Sequence, residues 1–369
     1  MIGLLLLGRE RVGVTTYLEG RAAAVGEHAA GRATPLPRDA ATALELGRAA
    51  LHAGVPQLAG GAWRMHSLRV QHVGKQRGKR IVAYRVGLED RETGARRVEA
   101  VIGKFYGRER GADADAALRA LWRAGFRPPA RLVVPHPFGW SAEHGALLQG
   151  RIDGIAWADH LGASAVALAR ASGAAARWLA RLHGAPIPAQ PAPLETDAAE
   201  VRRFAAELEA AFPGHARAGR LAERVARELL VAPGAPAPSH GDFHPKNVYV
   251  DGRRVAVIDF DTFAAREPAW DLGYGVGQLL CMSRFRHGSF DPGLEAARGF
   301  LVAYGVRAPE PPWRRVATFL ARTLLQSLHY ELCTLRNGRL ELLDLWPLAI
   351  ERALDSHDLH AFADLLRGC

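Results

Sequence analysis

The sequence predicts an α+β protein with two lobes, a small one built on an antiparallel sheet and a larger helical one. Two observations lead to this prediction. Strand-like segments separated by turn residues are concentrated in residues 63–148, whereas helical segments dominate residues 149–369. The 369 residues are also enough for two lobes and a large buried core. Residues 1–62 are interpreted as an N-terminal extension.

The extension combines a short apolar run with one predicted helix. Residues 2–7 are strand-like, and a helix is expected over residues 39–52, with Asp39 as its N-cap. Residues 8–15 have the spacing of a phosphate-binding loop, but Val14 stands where that loop needs a lysine. A turn after a short strand therefore explains them better.

The small lobe is predicted to open with a three-stranded meander followed by a helix and two short strands. Gly94 lies in the turn between the second and third strands, and Leu118, Leu121 and Trp122 share one face of the helix. The predicted strands are residues 66–73, 80–89, 97–106, 131–134 and 145–149, and the helix covers residues 113–124.

The large lobe is predicted to be mainly helical. Gly184 and a series of prolines end its first long helix, and strand signals return only on either side of residue 251. The predicted helices are residues 164–183, 197–212 and 218–231, with further helices from Trp270 to Leu366, and the strands are residues 247–250 and 255–260.

The residues that point to chemistry lie in residues 239–261. Residues 240–247 are His-Gly-Asp-Phe-His-Pro-Lys-Asn, and an apolar run then ends at Asp259. Phosphoryl transfer to a hydroxyl needs a carboxylate for the alcohol proton, and a carboxylate with an amide oxygen for Mg²⁺ on the phosphates. Asp242, Asn247 and Asp259 provide such a set. His240 and His244 are alternatively two zinc ligands, although no third histidine or cysteine lies nearby in the sequence.

These segments resemble the aminoglycoside phosphotransferase family and related small-molecule kinases. The resemblance rests on His240-Gly241-Asp242 through Asn247, on Ile258-Asp259-Phe260 and on Glu267-Pro268-Ala269-Trp270-Asp271-Leu272. It implies a protein-kinase-like fold, ATP and Mg²⁺ as cofactors, and transfer of the γ-phosphoryl group to a hydroxyl of a small molecule.

The resemblance also implies a role for each matching residue. Asp242 is the expected base, in a catalytic segment that includes His240 and His244. Asn247 and Asp259 are the expected metal ligands, and Asp271 is expected to brace the catalytic loop through its backbone. Gly241 replaces the arginine usual in eukaryotic protein kinases, which favours a small-molecule acceptor.

Lys104 is the expected phosphate-binding lysine of the small lobe. It lies in the apolar segment Val101-Ile102-Gly103-Lys104-Phe105, where a lysine is costly without an anionic partner. Asp113 and Asp115 are the candidate partners, with Glu109 as a third. A solvent-facing lysine on an edge strand is the alternative.

Two further segments are expected to contact the nucleotide. Gly74 and Gly78 lie in the loop between the first two strands, where a phosphate-covering loop belongs, and Lys75, Arg77 and Lys79 are either part of it or plain turn residues. Gln149, Gly150 and Arg151 match the family's hinge, whose backbone meets the adenine edge. The preference between ATP and GTP stays open.

The acceptor is expected to meet the C-terminal helices. Acidic residues are frequent there, and they either bind an amine of the substrate or are solvated helix faces. Aminoglycosides and aminoalcohols are allowed, and sugars and macrolides are not excluded. These acidic residues are Glu331, Glu341, Asp344, Glu351, Asp355 and Asp358.

The composition limits which binding partners and which cellular compartment we expect. The net charge of +10 raises nucleic acid as a partner, but the arginines are scattered and no aromatic residues alternate with them. Three cysteines without CxxC spacing argue against a disulfide framework and a zinc site. We therefore expect a cytoplasmic protein with neither a membrane nor a nucleic-acid partner. A catalytically silent, nucleotide-binding scaffold protein is the alternative to an active kinase. The sequence leaves the oligomeric state open.

Overall fold

The computed structural model describes residues 36–76, 79–106, 111–305, 307 and 311–366. Helix α1 (Ala40–Gly54) begins at the predicted N-cap, where Asp39 Oδ1 accepts a hydrogen bond from the Thr42 N–H at 2.9 Å. The expected strand at residues 2–7 and the turn at residues 8–15 lie outside the described residues. Helix α1 confirms the helix predicted over residues 39–52. The short helix α2 (Pro56–Ala59) follows it directly.

A five-stranded antiparallel sheet forms the small lobe, in the order β1-β2-β3-β6-β5. The predicted meander is its first half. One strand of this sheet, at residues 137–141, was missed by the sequence analysis, because Pro137 and Gly139 interrupt its pattern and shift its register against the neighbouring strand. The strands are β1 (Trp63–Gln76), β2 (Lys79–Asp90), β3 (Arg96–Tyr106), β5 (Pro137–Ser141) and β6 (Ala146–Gly150).

Helix α1 packs on this sheet and shares its core. The Tyr84 hydroxyl donates a hydrogen bond to the Ala43 carbonyl at 2.8 Å, and Gly47 lies so close that a Cβ there would fall 2.5 Å from the Tyr84 ring. Ala50 and Leu51 are buried among the same strand residues. We therefore propose that the small lobe begins at α1 and not at residue 63.

Helices make up most of the large lobe, as predicted. Helix α3 links it to the small lobe, because Leu118 and Leu121 join the same apolar cluster as Trp178 of α4. The linking helix is α3 (Gly111–Arg123), and the helices of the large lobe are α4 (Ala165–His183), α5 (Leu194–Ala211), α6 (Ala216–Leu230), α7 (Ala269–His287), α8 (Asp291–Gly305), α9 (Trp313–His329), α10 (Leu342–Asp355) and α11 (Leu359–Leu366).

Two small sheets hold the segments that carry the predicted chemistry. One has the order β4-β10-β9-β7, with only β10 and β4 parallel, and the other pairs β8 with β11. The loop of residues 240–247 connects β8 to β9, and Asp259 follows β10. The strands are β4 (Leu132–Val133), β7 (Ile155–Ala156), β8 (Ala237–Ser239), β9 (Val248–Asp251), β10 (Arg254–Val257) and β11 (Ala264–Arg266).

Helices α7 and α9 of the large lobe approach each other closely. A Cβ on Gly273 would lie 2.5 Å from the Val316 carbonyl oxygen, and one on Gly277 would lie 2.7 Å from Thr323. Glycine at these two positions lets the backbones of α7 and α9 approach each other closely. None of the helices in the described ranges has the length and apolar character needed to cross a membrane.

Candidate active site

The backbone of the catalytic loop is held by one buried carboxylate. The N–H groups of His240 and Gly241 donate to Asp271 Oδ2 and Oδ1 at 2.7 and 2.8 Å, and His183 Nε2 lies 3.1 Å from Oδ2. Asp271 is fully buried at the start of α7. Burial by itself raises the pKa of Asp271, but the hydrogen bond from His183 and the other polar contacts outweigh it and lower the pKa. The bracing contact expected from the resemblance is thus present.

Gly241 gives the loop its turn. Its φ is +78°, and a Cβ would lie 2.3 Å from the Thr262 carbonyl oxygen, so only glycine fits without strain. The Gly241 carbonyl accepts a hydrogen bond from Trp270 Nε1 at 3.2 Å. The loop is therefore fixed from both the β10–β11 segment and α7.

His240 connects the catalytic loop to the end of β10. Its Nδ1 accepts from the Asp242 N–H at 3.2 Å, and its Nε2 donates to the Ile258 carbonyl at 3.0 Å, which defines the neutral tautomer. Burial lowers the pKa of His240, in agreement with a neutral ring. The contacts of His240 are those of a positioning residue, since both ring nitrogens are used within the protein.

His244 is also buried and bonded to the loop backbone. Its Nδ1 accepts from the Lys246 N–H at 3.0 Å, and burial lowers its pKa well below the usual value. No group of three or more His, Cys, Asp or Glu side chains within the described ranges is arranged to hold a metal ion. The zinc alternative for His240 and His244 therefore gains no support.

Asp242 is half-buried and lies beside a side-chain amide. Asn247 Nδ2 donates to the Asp242 backbone carbonyl at 3.1 Å and to Asp242 Oδ2 at 3.3 Å. Burial, together with the negative charge of Asp259, raises the pKa of Asp242 to about 7, although Tyr274, Lys79 and Asn247 act in the opposite direction. A carboxylate with such a pKa can accept a proton near neutral pH.

Asp259 lies two residues after the end of β10, adopts a φ of +72° and faces the sheet of the small lobe. Its Oδ1 lies 2.7 Å from Lys104 Nζ and 3.4 Å from Lys79 Nζ. Burial alone would raise the pKa of Asp259, but the two ammonium groups hold it well below its usual range. Asp259 is therefore an ionised carboxylate between the lobes.

The predicted acidic partners of Lys104 on α3 are not the partners found. Asp115 Oδ2 accepts instead from Arg119 Nε at 2.7 Å, and Lys104, only 3% exposed, pairs with Asp259 and Asp261. Asp113 forms no hydrogen bond or ion pair with Lys104 in the part of the chain that the structure describes. Glu109 lies outside them. The solvent-facing alternative for Lys104 is wrong, because its strand lies inside the sheet between β2 and β6.

The oxygen set at this junction suits magnesium. Asn247 Nδ2 donates its hydrogen bonds to Asp242, which leaves the side-chain Oδ1 turned away from that residue. The Ile258 N–H donates to the backbone carbonyl of Asn247 at 3.0 Å, and Ile258 is the neighbour of Asp259 in the chain. One amide oxygen and one ionised carboxylate, completed by phosphate oxygens and water, match the usual protein share of a Mg²⁺ shell. The residues present thus fit the ion.

A family model now identifies the chain. The model of the APH phosphotransferase enzyme family matches residues 82–319, which is more than half of the sequence. The chain belongs to this family. The matched range contains Lys104, the catalytic loop, Asp259 and Asp271. The protein is therefore a kinase that transfers a phosphoryl group to an alcohol acceptor, as the sequence predicted.

Solved structures agree on the fold. A choline/ethanolamine kinase family protein from Mesorhizobium loti is 18% identical with a TM-score of 0.55, over 88% of this chain and 98% of its own. An aminoglycoside phosphotransferase APH(4)-Ia mutant with ADP and hygromycin B is 14% identical with a TM-score of 0.54, over 79% and 95%. Spectinomycin phosphotransferase APH(9)-Ia with ADP and spectinomycin is 14% identical with a TM-score of 0.51, over 89% and 98%. The predicted two-lobed, protein-kinase-like fold is confirmed. A sequence search of curated proteins finds no match.

The predicted hinge of this phosphotransferase lies at the end of β6. Gln149 is buried, and the N–H groups of Gly150 and Arg151 donate to the carbonyls of His136 and Ala100 at 2.8 and 2.9 Å. These two amides are thus already used within the small lobe. The contact between this hinge and adenine stays a prediction. A hydrogen-bond donor to the adenine edge would have to be a group other than these two backbone amides.

The loop between β1 and β2 is described only in part. Gly74 pairs with Ile81 near the end of β1, whereas Gly78 lies outside the described residues. Lys79, which the sequence left between a functional and a plain turn residue, points to the site and reaches Asp259 and Asp261. Sequence reasoning missed Asp261 and Tyr106 as site residues, because their contacts join segments far apart in the chain.

The acidic residues near the C-terminus have mostly structural partners. Glu351 accepts from Arg217 at 2.8 Å, Asp355 accepts from Arg224 at 2.8 Å, and Asp358 Oδ1 accepts from the Ala361 N–H. Glu331 accepts from Asn337. The remaining two line a cavity of about 490 Å³ together with three arginines. The charged residues of that cavity are Glu341, Asp344, Arg217, Arg284 and Arg352.

Proposed function

We propose that this phosphotransferase moves the γ-phosphoryl group of ATP to a hydroxyl of a small molecule, with aminoglycoside-like antibiotics, aminoalcohols and sugars as candidate acceptors. The observation that supports it most is the meeting of four groups between the lobes. Asn247 is bonded to Asp242, and Lys104 is paired with Asp259. The catalytic-loop contacts of Asp271 support the same proposal.

In this mechanism Asp242 orients the acceptor hydroxyl and takes its proton as the oxygen attacks the γ-phosphorus. Its pKa of about 7 leaves a large ionised fraction at neutral pH. Lys104 holds phosphate oxygens by charge-assisted hydrogen bonds. Asn247 and Asp259 would hold magnesium, which supplies positive charge on the transferring phosphates.

The roles of Asp242 and Asp259 are separable by experiment. Asp242→Ala removes the base, so we expect kcat to fall by ~10²–10⁴ while ATP affinity barely changes. Asp259→Ala removes a metal ligand and should weaken Mg·ATP binding as well as turnover. Asn247→Ala should act in the same direction but less strongly. The measurements are ADP release with a panel of the three acceptor classes, and nucleotide affinity by calorimetry.

Asp251→Ala, at the exposed end of β9, is the matched control and should keep both properties. Normal turnover of Asp242→Ala with an accepted substrate would contradict the mechanism. ATP binding without turnover of any acceptor would instead favour the catalytically silent scaffold.

A further inference from the structure

A second lysine lies beside Lys104 on the same face of the small-lobe sheet. Lys79 is the first residue of β2 and is paired with Tyr106 on β3, and Ile81 is paired with Lys104. Directly paired residues of neighbouring strands project to the same side, so Lys79, Tyr106 and Lys104 share one face. The two lysines enter that face about 7 Å apart along the strands, which is two residues.

Both lysines contact the same two carboxylates of the large lobe. Lys79 Nζ lies 3.0 Å from Asp261 Oδ2 and 3.4 Å from Asp259 Oδ1. Lys104 Nζ lies 2.7 Å from Asp259 Oδ1 and 3.5 Å from Asp261 Oδ1. The Tyr106 hydroxyl donates to Asp261 Oδ1 at 2.9 Å. Two ammonium groups and two carboxylates therefore balance one another across the cleft.

Burial makes this arrangement costly for a merely structural contact. The side chains of Lys79 and Lys104 are only 16% and 4% exposed. Buried ion pairs contribute little net stability, because desolvation offsets most of their attraction. A triphosphate with one magnesium ion brings net negative charge to the cleft, and Lys104 alone would leave that charge facing both carboxylates. A second ammonium group reduces this excess.

We infer that Lys79 is a second phosphate-binding lysine, which holds a different triphosphate oxygen from Lys104. The inference rests on the proposed function and extends it. As the nucleotide enters, the two ammonium groups exchange the carboxylates for phosphate oxygens. Asp259 is then released for the metal ion, and Asp261 keeps its hydrogen bond from Tyr106.

The test compares adenosine, ADP and ATP, each with magnesium, on the full chain and on Lys79→Met. A lost charge-assisted hydrogen bond corresponds to about 10- to 100-fold in affinity. We expect that loss for ATP, a loss for ADP no larger than for ATP, and an unchanged adenosine affinity. An equal loss for all three ligands would show a structural role and overturn the inference.

Arg80→Met is the matched control, because Arg80 is the next residue on β2 and projects to the opposite face. It should bind all three ligands normally. Lys79→Gln keeps a donor for Asp261 without the charge, and it should show the same ATP loss if Lys79→Met fails to fold. If Lys104→Met weakens ATP binding and Lys79→Gln does not, only this inference fails. If neither variant changes ATP binding, the proposed nucleotide site fails as well.

Discussion

At the scale of single residues, the catalytic loop depends on one glycine and one aspartate. Asp271 accepts both N–H groups at the start of the loop, and Gly241 supplies the left-handed turn that points them toward it. The geometry of Asp242 therefore follows from groups that touch no substrate. A displacement of about 1 Å at such a position can cost on the order of 100-fold in rate.

Gly241→Ala tests this dependence. The new Cβ meets the Thr262 carbonyl in a backbone conformation that costs an alanine ~1–2 kcal/mol. We expect the free energy of unfolding to fall by at least ~2 kcal/mol and kcat to fall at least tenfold. Gly252→Ala has a similar φ of +56° but open space around it, so it should lose only the conformational energy and keep kcat. Equal effects of the two variants would contradict the role given to Gly241.

At the scale of elements, Arg315 joins three parts of the large lobe. From α9 it donates Nε to Glu267 Oε2 at 3.0 Å, and its other nitrogens bond to carbonyls at the C-terminal end of α6. Glu267 lies four residues before Asp271 and is 5% exposed. The contact therefore anchors the segment that leads into the bracing aspartate.

Arg315→Met should be strongly destabilising, because it leaves the Glu267 carboxylate buried without a cation. Removing one partner of a buried pair typically costs ~3–5 kcal/mol. The double variant with Glu267→Met should recover part of that loss in urea unfolding. Arg298→Met, which breaks an exposed pair with Glu295 at the surface of α8, should cost less than ~0.5 kcal/mol. A loss below 1 kcal/mol for Arg315→Met would rule out the anchoring role.

At the scale of the whole molecule, burial lowers the pKa of several histidines and so favours their neutral form. It lowers the pKa of each from the ordinary value of about 6.5. The unfolded chain therefore binds more protons than the folded one as pH falls below that value, and stability is lost. Asp242 and Glu331 have the opposite effect on stability, because burial raises their pKa values and the folded chain then binds more protons than the unfolded one. The histidines concerned are His160, His240, His244 and His329.

We expect the free energy of unfolding to decrease between pH 7 and pH 5, measured by urea unfolding at several pH values. A buried histidine that stays neutral contributes up to about 1.4 kcal/mol per pH unit below its unfolded pKa. His244→Gln should make the pH dependence shallower. His357→Gln, with a side chain 84% exposed, should leave it unchanged. Stability that is constant or rises toward pH 5 would contradict the expectation.

The sequence by itself determined most of the long elements and the position of the catalytic loop. Asp242, Asn247 and Asp259 lie close together in the chain, and the turn residues and hydrophobic periods around them are local patterns. Such patterns predicted the β2–β3 meander, the capped α1 and the long α4. The same local patterns failed at β5, where Pro137 and Gly139 hide a strand that only its pairing with β6 reveals.

Only the tertiary structure decided the partners of the charged groups. Lys104 was expected to pair within its own lobe, but its partner Asp259 lies 155 residues away, and the partner of Lys79 at Asp261 is 182 residues away. The packing of α1 on the sheet is a contact of the same kind. Backbone conformation follows neighbouring residues in the chain, whereas the energy of an ion pair depends on distance and burial. Both of these quantities exist only after the lobes have come together.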